Sequence, residues 1–308
     1  MSRFIEIVEV GPRDGLQNET AILEPAARAR FVRALEACGA RRIEAVSFVN
    51  PRRVPQMAGA EEIMAALPPE KGRSRIGLVM NERGWDRCLD AGCDEANVVV
   101  CASDGFGVRN QGASVAEQIA TLERIARRRS AEGGPPLTMT VSVAFGCPFE
   151  GEVPAERVAG LARAAGEAGV EEIALGDTIG VADPWEVKAR IEAVRKAAPK
   201  ARLRMHFHDT RGAALANAFA AIEEGVSVLD ASCGGLGGCP FAPNATGNLA
   251  TEDLVYMLHR AGFTTGYDLE GLIAAARTIG AEIGKAPVSS LSRAGPFPAP
   301  TQGNAGAP

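Results

Sequence analysis

Met205-His206-Phe207-His208-Asp209-Thr210 closes an apolar segment, Leu203 to Phe207, that reads as a short buried strand. Side chains at i and i+2 of a strand leave the same face. Both imidazoles therefore project from one side, roughly 6–7 Å apart along the strand. They are two of only three histidines in the chain. Two imidazoles held that close commonly share a metal ion. The plain alternative is a packed or hydrogen-bonded pair at a strand end. Which reading stands depends on what surrounds this strand, and it is the seventh of eight.

Working back toward the N-terminus, helical spacing marks Pro184 to Ala198, with proline in its first turn, after a strand at Glu172 to Leu175. Before these come a helix at Pro154 to Ala168, a strand at Leu137 to Phe145 and a long amphipathic helix at Val115 to Ala131. Strands are expected at Asn97 to Cys101, Ile76 to Met80, Arg42 to Phe48 and Phe4 to Val10. Helices are expected from Asn81, a capping residue, to Gly92, and at Ala60 to Leu67 and Pro25 to Cys38. Toward the C-terminus a helix spans Gly212 to Glu224 and the eighth strand spans Val228 to Ala231. Strand–helix alternation of this kind means parallel strands with crossover helices. Eight units point to a closed (β/α)8 TIM barrel of the α/β class. An open doubly wound sheet is the rival, but the first turn lacks a Gly-x-Gly-x-x-Gly fingerprint. Two more helices, Thr251 to Ala261 and Leu269 to Ile283, are extra C-terminal cover for the barrel. The expected domain is 1–286. The tail, 287–308, is rich in Pro, Gly, Ser and Ala and is expected to be poorly ordered.

The 308 residues are ordinary for one such barrel, and 46% hydrophobic content is enough for a large core. Net charge is −5, and no basic cluster is dense enough to suggest nucleic acid. Arg127-Arg128-Arg129 reads as a solvated helix face. No stretch approaches 18 consecutive apolar residues, so no membrane span is expected. The chain enters an apolar strand at Phe4, leaving no room for a signal peptide, which leads us to expect a cytoplasmic protein. Seven cysteines, without paired-motif spacing, are expected to be thiols.

In a barrel of this type the chemistry sits on the loops at the C-terminal strand ends. The unusual residues fall there in turn. Arg13, Asp14 and Gln17 follow strand one. Glu44, Ser47 and Asn50 lie in and after strand two. Ser103, Asp104 and Asn110 follow strand four, Cys147 follows strand five, and Asp177 and Thr178 follow strand six. After strand eight come Gly234-Gly235-Leu236-Gly237-Gly238-Cys239-Pro240 and then Asn248. Loops are polar in general, but that does not explain a carboxylate after strand one, two histidines at strand seven and a thiol after a glycine run.

Asp14, His206 and His208 supply one carboxylate and two imidazoles, and Asn248 can add a neutral amide oxygen. Such mixed N and O ligation suits an octahedral Mg²⁺ or Mn²⁺ with open positions better than a closed structural zinc. Arg13, adjacent to a ligand, is a permanent cation fit to stabilise an oxyanion or enolate. The plain alternative is a salt bridge in the barrel mouth. Cys239, on a glycine-rich backbone near that arginine, is a candidate for moving protons, with a small buried hydrophobe as its alternative. The glycine run lacks the Lys-Ser/Thr of a nucleotide loop.

Six stretches then show a resemblance: Val8 to Asn18, Ser47 to Met57, Gly146 to Gly151, Gly176 to Gly180, His206 to Thr210, and Gly234 to Pro240 with Gly247 to Asp253. Together, over about residues 4 to 285, they resemble hydroxymethylglutaryl-CoA lyase, within the barrel metallolyases that include isopropylmalate and homocitrate synthases. The glycine loop ending in Cys239 separates lyase-like members from the condensing acyl-CoA synthases. The resemblance implies divalent-metal-dependent retro-Claisen cleavage of a 3-hydroxy-3-methyl acyl-CoA to acetyl-CoA and acetoacetate, by a homodimer. It implies Asp14, His206, His208 and Asn248 as metal ligands and Arg13 as the group stabilising the enolate. It implies Cys239, Glu44 and Asp177 in proton transfer, and Gln17, Ser47, Asn110 and Thr178 at the substrate. Departures from the usual motifs are Thr20 after Asn18-Glu19, Asp104 in Ala102-Ser103-Asp104, and Asn50-Pro51-Arg52. None touches a proposed ligand. They leave citramalyl-CoA, cleaved to pyruvate and acetyl-CoA, as an alternative substrate.

Overall fold

A computed structural model describes residues 4–238 and 247–298. Eight parallel strands close in chain order: β1 (Glu6–Glu9), β2 (Arg42–Ser47), β3 (Ser74–Val79), β4 (Glu95–Cys101), β5 (Leu137–Ser142), β6 (Glu172–Asp177), β7 (Arg202–Phe207) and β8 (Val228–Ala231), which pairs back with β1. The ring is wrapped by α1 (Pro25–Ala37), α2 (Ala60–Ala65), α3 (Glu82–Asp90), α4 (Asp104–Gln111), α5 (Val115–Glu132), α6 (Ala155–Glu167), α7 (Pro184–Ala197) and α8 (Ala214–Glu223). Then α9 (Thr251–Arg260), α10 (Leu269–Ile283) and α11 (Ser290–Ala294) follow the last strand. The architecture is the (β/α)8 barrel with extra C-terminal helices that the strand–helix period implies. Among the described residues no helix is long and apolar enough to cross a membrane.

Local chemistry explains several element ends. Asn81 caps α3 by accepting from the Gly84 N–H at 2.9 Å. Ser114 and Glu117 form a reciprocal capping box at the start of α5. Asp183 caps α7, whose first residue is proline.

The apolar core lies between the ring and its helices. Trp85, Leu35, Ile43, Ile63, Leu122 and Ile125 are fully buried there, each contributing about 1.5–3 kcal/mol of transfer free energy. Inside the ring, Val8, Val10, Ile76 and Val228 form a small apolar patch. Much of the remaining interior is charged. Arg42 donates Nε and Nη2 to Glu95, at 2.9 and 2.6 Å. It also donates Nη1 and Nη2 to Glu172, at 2.9 and 2.8 Å. Arg204 lies 3.3 Å from both Glu172 and Asp230.

Three pieces depart from the expectation. The loop after β4 contains α4, which Ser103 caps by accepting from the Phe106 N–H. Gly146–Cys147 and Gly151–Glu152 form a small antiparallel hairpin beside it, and the Phe106 and Phe149 rings meet at 6.2 Å. In the tail, Ser290–Ala294 forms α11 where composition suggested disorder, with Ser289 and Leu291 buried. The Asp253 carboxylate of α9 accepts the Ser290 and Leu291 N–H groups that open α11. The Ser289 and Ser292 hydroxyls donate to buried Glu252 at 2.5 and 3.1 Å. Residues 299–308 of that tail lie outside the described residues.

Candidate active site

Strand alternation places the site. Phe207 turns outward to meet Phe145, ring centroids 6.3 Å apart, so His206 and His208 turn into the barrel mouth, their rings 5.2 Å apart. After β1 the backbone makes a single wide turn over Gly11–Gly15, with Pro12 in its first positions. That turn brings Asp14 over the histidines. Each Nε2 lies just under 4 Å from Asp14 Oδ2, 3.9 Å for His206 and 3.8 Å for His208. These separations are too long for hydrogen bonds. Oxygen and nitrogen ligands at about 2.1 Å from one small ion would lie about 3–4 Å apart. One ligand atom from each of the three residues falls within 4.8 Å of the others.

Asn248 completes the set from the loop after β8, where it forms an isolated bridge with His208. Its Nδ2 donates to Asp14 Oδ2 at 2.9 Å and to the Leu236 carbonyl at 3.0 Å, which fixes the amide's orientation. Its buried Oδ1 has no partner among the described residues. An unpartnered acceptor beside a carboxylate and two imidazoles fits a hard or borderline divalent cation. Close packing holds this amide in place. A Cβ on Gly237, whose φ is +128°, would lie 2.4 Å from Asn248 Nδ2.

Arg13 lies beside these groups. Its Nε donates to Glu44 Oε2 and its Nη1 to Asp14 Oδ1, both at 2.6 Å, and its Nη2 also meets Glu44. Asn97 donates to the other Glu44 oxygen at 2.8 Å. A bulge in β2 between Glu44 and Val46 sits next to this contact, where bulges commonly re-aim side chains. Burial disfavours the Asp14 carboxylate, but Arg13, both histidines and Asn248 outweigh it and hold Asp14 well below the usual carboxylate range. Burial, then the neighbouring His206, pushes His208 down to about 4, so its imidazole is neutral and free to ligate. Burial opposes charge on His206 too, but Asp230 and Asp14 raise it above the ordinary value.

Gln17, Asn110 and Thr178 line the same opening, with Arg13, Asp14, Glu44, His206 and His208. Thr178 is oriented by accepting from the Val143 N–H at 2.8 Å. Ser47 is buried, its hydroxyl without a partner among the described residues, and it is the register partner of Leu78, which lines the opening. One expected residue is turned elsewhere. Asp177 is the register partner of outward-facing Phe207. Its two carboxylate oxygens accept the Val181 and Ala182 N–H groups at 2.8 and 3.1 Å. It shapes the loop after β6, and burial raises it to about 6. Cys239 lies outside the described residues. Cys147 accepts from the Ser103 hydroxyl at 2.9 Å under the α4 rim. Sequence reading missed Asp230 and Asn97, which line the opening. Both are inward-facing strand residues outside any loop motif, and only the strand period could have flagged them.

Hydroxymethylglutaryl-CoA lyase of Pseudomonas mevalonii is 44% identical over 291 residues, covering 94% of this chain and 95% of that protein. (R)-citramalyl-CoA lyase of Chloroflexus aurantiacus is 42% identical, covering 95% of each. The crystal structure of hydroxymethylglutaryl-CoA lyase from Pseudomonas aeruginosa superposes with a TM-score of 0.91 at 39% identity, covering 96% of this chain and 98% of that one. A family model described as HMGL-like matches residues 4–279, a span that holds the whole ring and every residue placed at its mouth, and the chain belongs to that HMGL-like family.

Proposed function

We propose that this protein is a carbon–carbon lyase that cleaves hydroxymethylglutaryl-CoA to acetyl-CoA and acetoacetate. Asp14, His206, His208 and the free Oδ1 of Asn248 would hold a divalent cation, Mg²⁺ or Mn²⁺. Once held, the cation supplies a Lewis acid for substrate oxygens. In the cleavage the tertiary hydroxyl loses its proton and the C2–C3 bond breaks. The electron pair passes to the thioester as an enolate while C3 becomes the ketone of acetoacetate. Arg13 would stabilise that enolate oxygen, a reading supported by the hydrogen bonds to Glu44 and Asp14 that restrain it. C2 then takes a proton to give acetyl-CoA, and we assign that transfer to Cys239. Glu44 acts by holding Arg13, with Asn97 behind it. Gln17, Asn110 and Thr178 would contact the acyl chain. The resemblance also supports a homodimer, which light scattering would check.

The observation that carries the reading is the convergence of the Arg13 guanidinium and the three ligand-type side chains at one opening. Purified protein supplied with hydroxymethylglutaryl-CoA and Mg²⁺ or Mn²⁺ should release acetoacetate, and chelation with EDTA should stop it reversibly. Absence of product from both this substrate and citramalyl-CoA, with either metal, would sink the lyase reading. A second substrate reading, citramalyl-CoA to pyruvate and acetyl-CoA, is favoured by the 42% identity to the Chloroflexus enzyme. The ratio of kcat/KM for the two thioesters decides between them.

A further inference from the structure

We propose that Asp230 is a positioning residue that fixes the ring of His206 for metal binding, and that Arg204 holds Asp230 in turn. The proposal rests on the cation reading above. Asp230 on β8 and His206 on β7 are register partners, so both enter the barrel at one level. His206 Nδ1 donates to Asp230 Oδ2 at 3.1 Å. The acceptor is a carboxylate, so in the neutral ring, the form that can ligate, the hydrogen resides on Nδ1 and Nε2 is left bare. That bare nitrogen is the one 3.9 Å from Asp14 Oδ2. An imidazole without such a partner would share its hydrogen between the two nitrogens, and Nε2 would be bare for only part of the time.

Arg204 lies behind the carboxylate. Its Nε is 3.3 Å from Asp230 Oδ1, and Asp230 and Arg204 are only 5% and 1% exposed. Among the described residues the remaining carboxylate neighbours of Arg204 are Glu172 and Glu95, at 3.3 and 3.9 Å, themselves gripped by Arg42. A line of alternating buried charges thus runs from the barrel floor to the back of one ligand. His208 has no such support among the described residues, where its Nδ1 lacks a partner. The asymmetry marks His206 as the ligand whose direction the fold sets.

The test uses Asp230→Asn, which keeps size and removes the charge. Mn²⁺ titration of substrate-free protein, read by electron paramagnetic resonance, should show affinity weakened about 10–100-fold. Nitrogen-15 NMR of the unsubstituted protein should find the His206 hydrogen on Nδ1, a tractable assignment with three histidines in the chain. Unchanged Mn²⁺ affinity in the variant, or an Nε2–H tautomer in the parent, overturns the proposal. If the variant fails to fold, the parent's tautomer alone decides. Weakened Mn²⁺ binding in a protein that cleaves neither thioester would leave this role standing and remove the lyase reading.

Discussion

Arg13 is one residue held by two carboxylates, and that arrangement sets what its removal should do. Glu44 and Asp14 restrain the guanidinium, burial alone would drain its charge, and the two partners more than restore it. Arg13→Gln should therefore lower kcat by about 10²–10³-fold or more, as loss of a preorganised charge at a developing oxyanion does. Mn²⁺ affinity should stay largely intact, because Arg13 is not a ligand. Near-normal turnover in the variant would refute the enolate role. The shared face of His206 and His208 was legible in the sequence because a period of two fixes the face of a strand, whereas Asp14, in the turn after β1, was marked only by its place in a loop at a strand's C-terminal end. Asp177 was misread because the same period, counted from Phe207 across the ladder, turns it outward. Asp230 was invisible because its partner sits on a neighbouring strand, and no local pattern announces that pairing.

Among the elements, β1 is tied to the far end of the chain through one buried carboxylate. Glu9 accepts the Gly11 N–H at 2.8 Å, the Cys233 N–H at 2.9 Å and the Thr251 hydroxyl at 2.7 Å. It thereby joins the turn bearing Arg13, the start of the glycine loop and the start of α9. Burial raises Glu9 from 4.5 to about 7, against the pull of those hydrogen bonds. Below about pH 4.5 both folded and unfolded chains carry the proton and the group is neutral to stability. As pH rises toward 7 the unfolded chain ionises first, and stability falls by on the order of 3 kcal/mol across the window. Glu9→Gln, neutral throughout, should flatten that fall, and Tm measured from pH 5 to 8 on both proteins checks it. Parallel Tm curves would refute the assignment. The eight strands and the long helices were legible because their periodicity is strong. The α4 helix was not, because its residues Asp104 to Gln111 include two glycines and read as loop. The α11 helix was not, because its anchors, Glu252 and Asp253, lie on α9, far away in the chain.

At the scale of the whole molecule the barrel interior is unusual in being charged. Arg42 satisfies Glu95 and Glu172 together, and each of the three is less than a tenth exposed. Arg42→Met would leave two buried carboxylates with Arg204 alone in place of two hydrogen-bonded forks, so unfolding free energy should drop by about 3–5 kcal/mol. A chemical denaturation series reads it, and a loss under about 1 kcal/mol would show that the layer is not the support it resembles. The mouth has a related property of order. Asp14 belongs to the first loop and Asn248 to the segment past the last strand, 234 positions apart yet joined by one hydrogen bond, at the seam where β8 meets β1. A ribosome extrudes Asp14 long before Asn248 exists. A nascent chain thus cannot join these two side chains until its ring shuts, and under the proposed ligand set uptake of an ion would time-stamp the final event of its maturation.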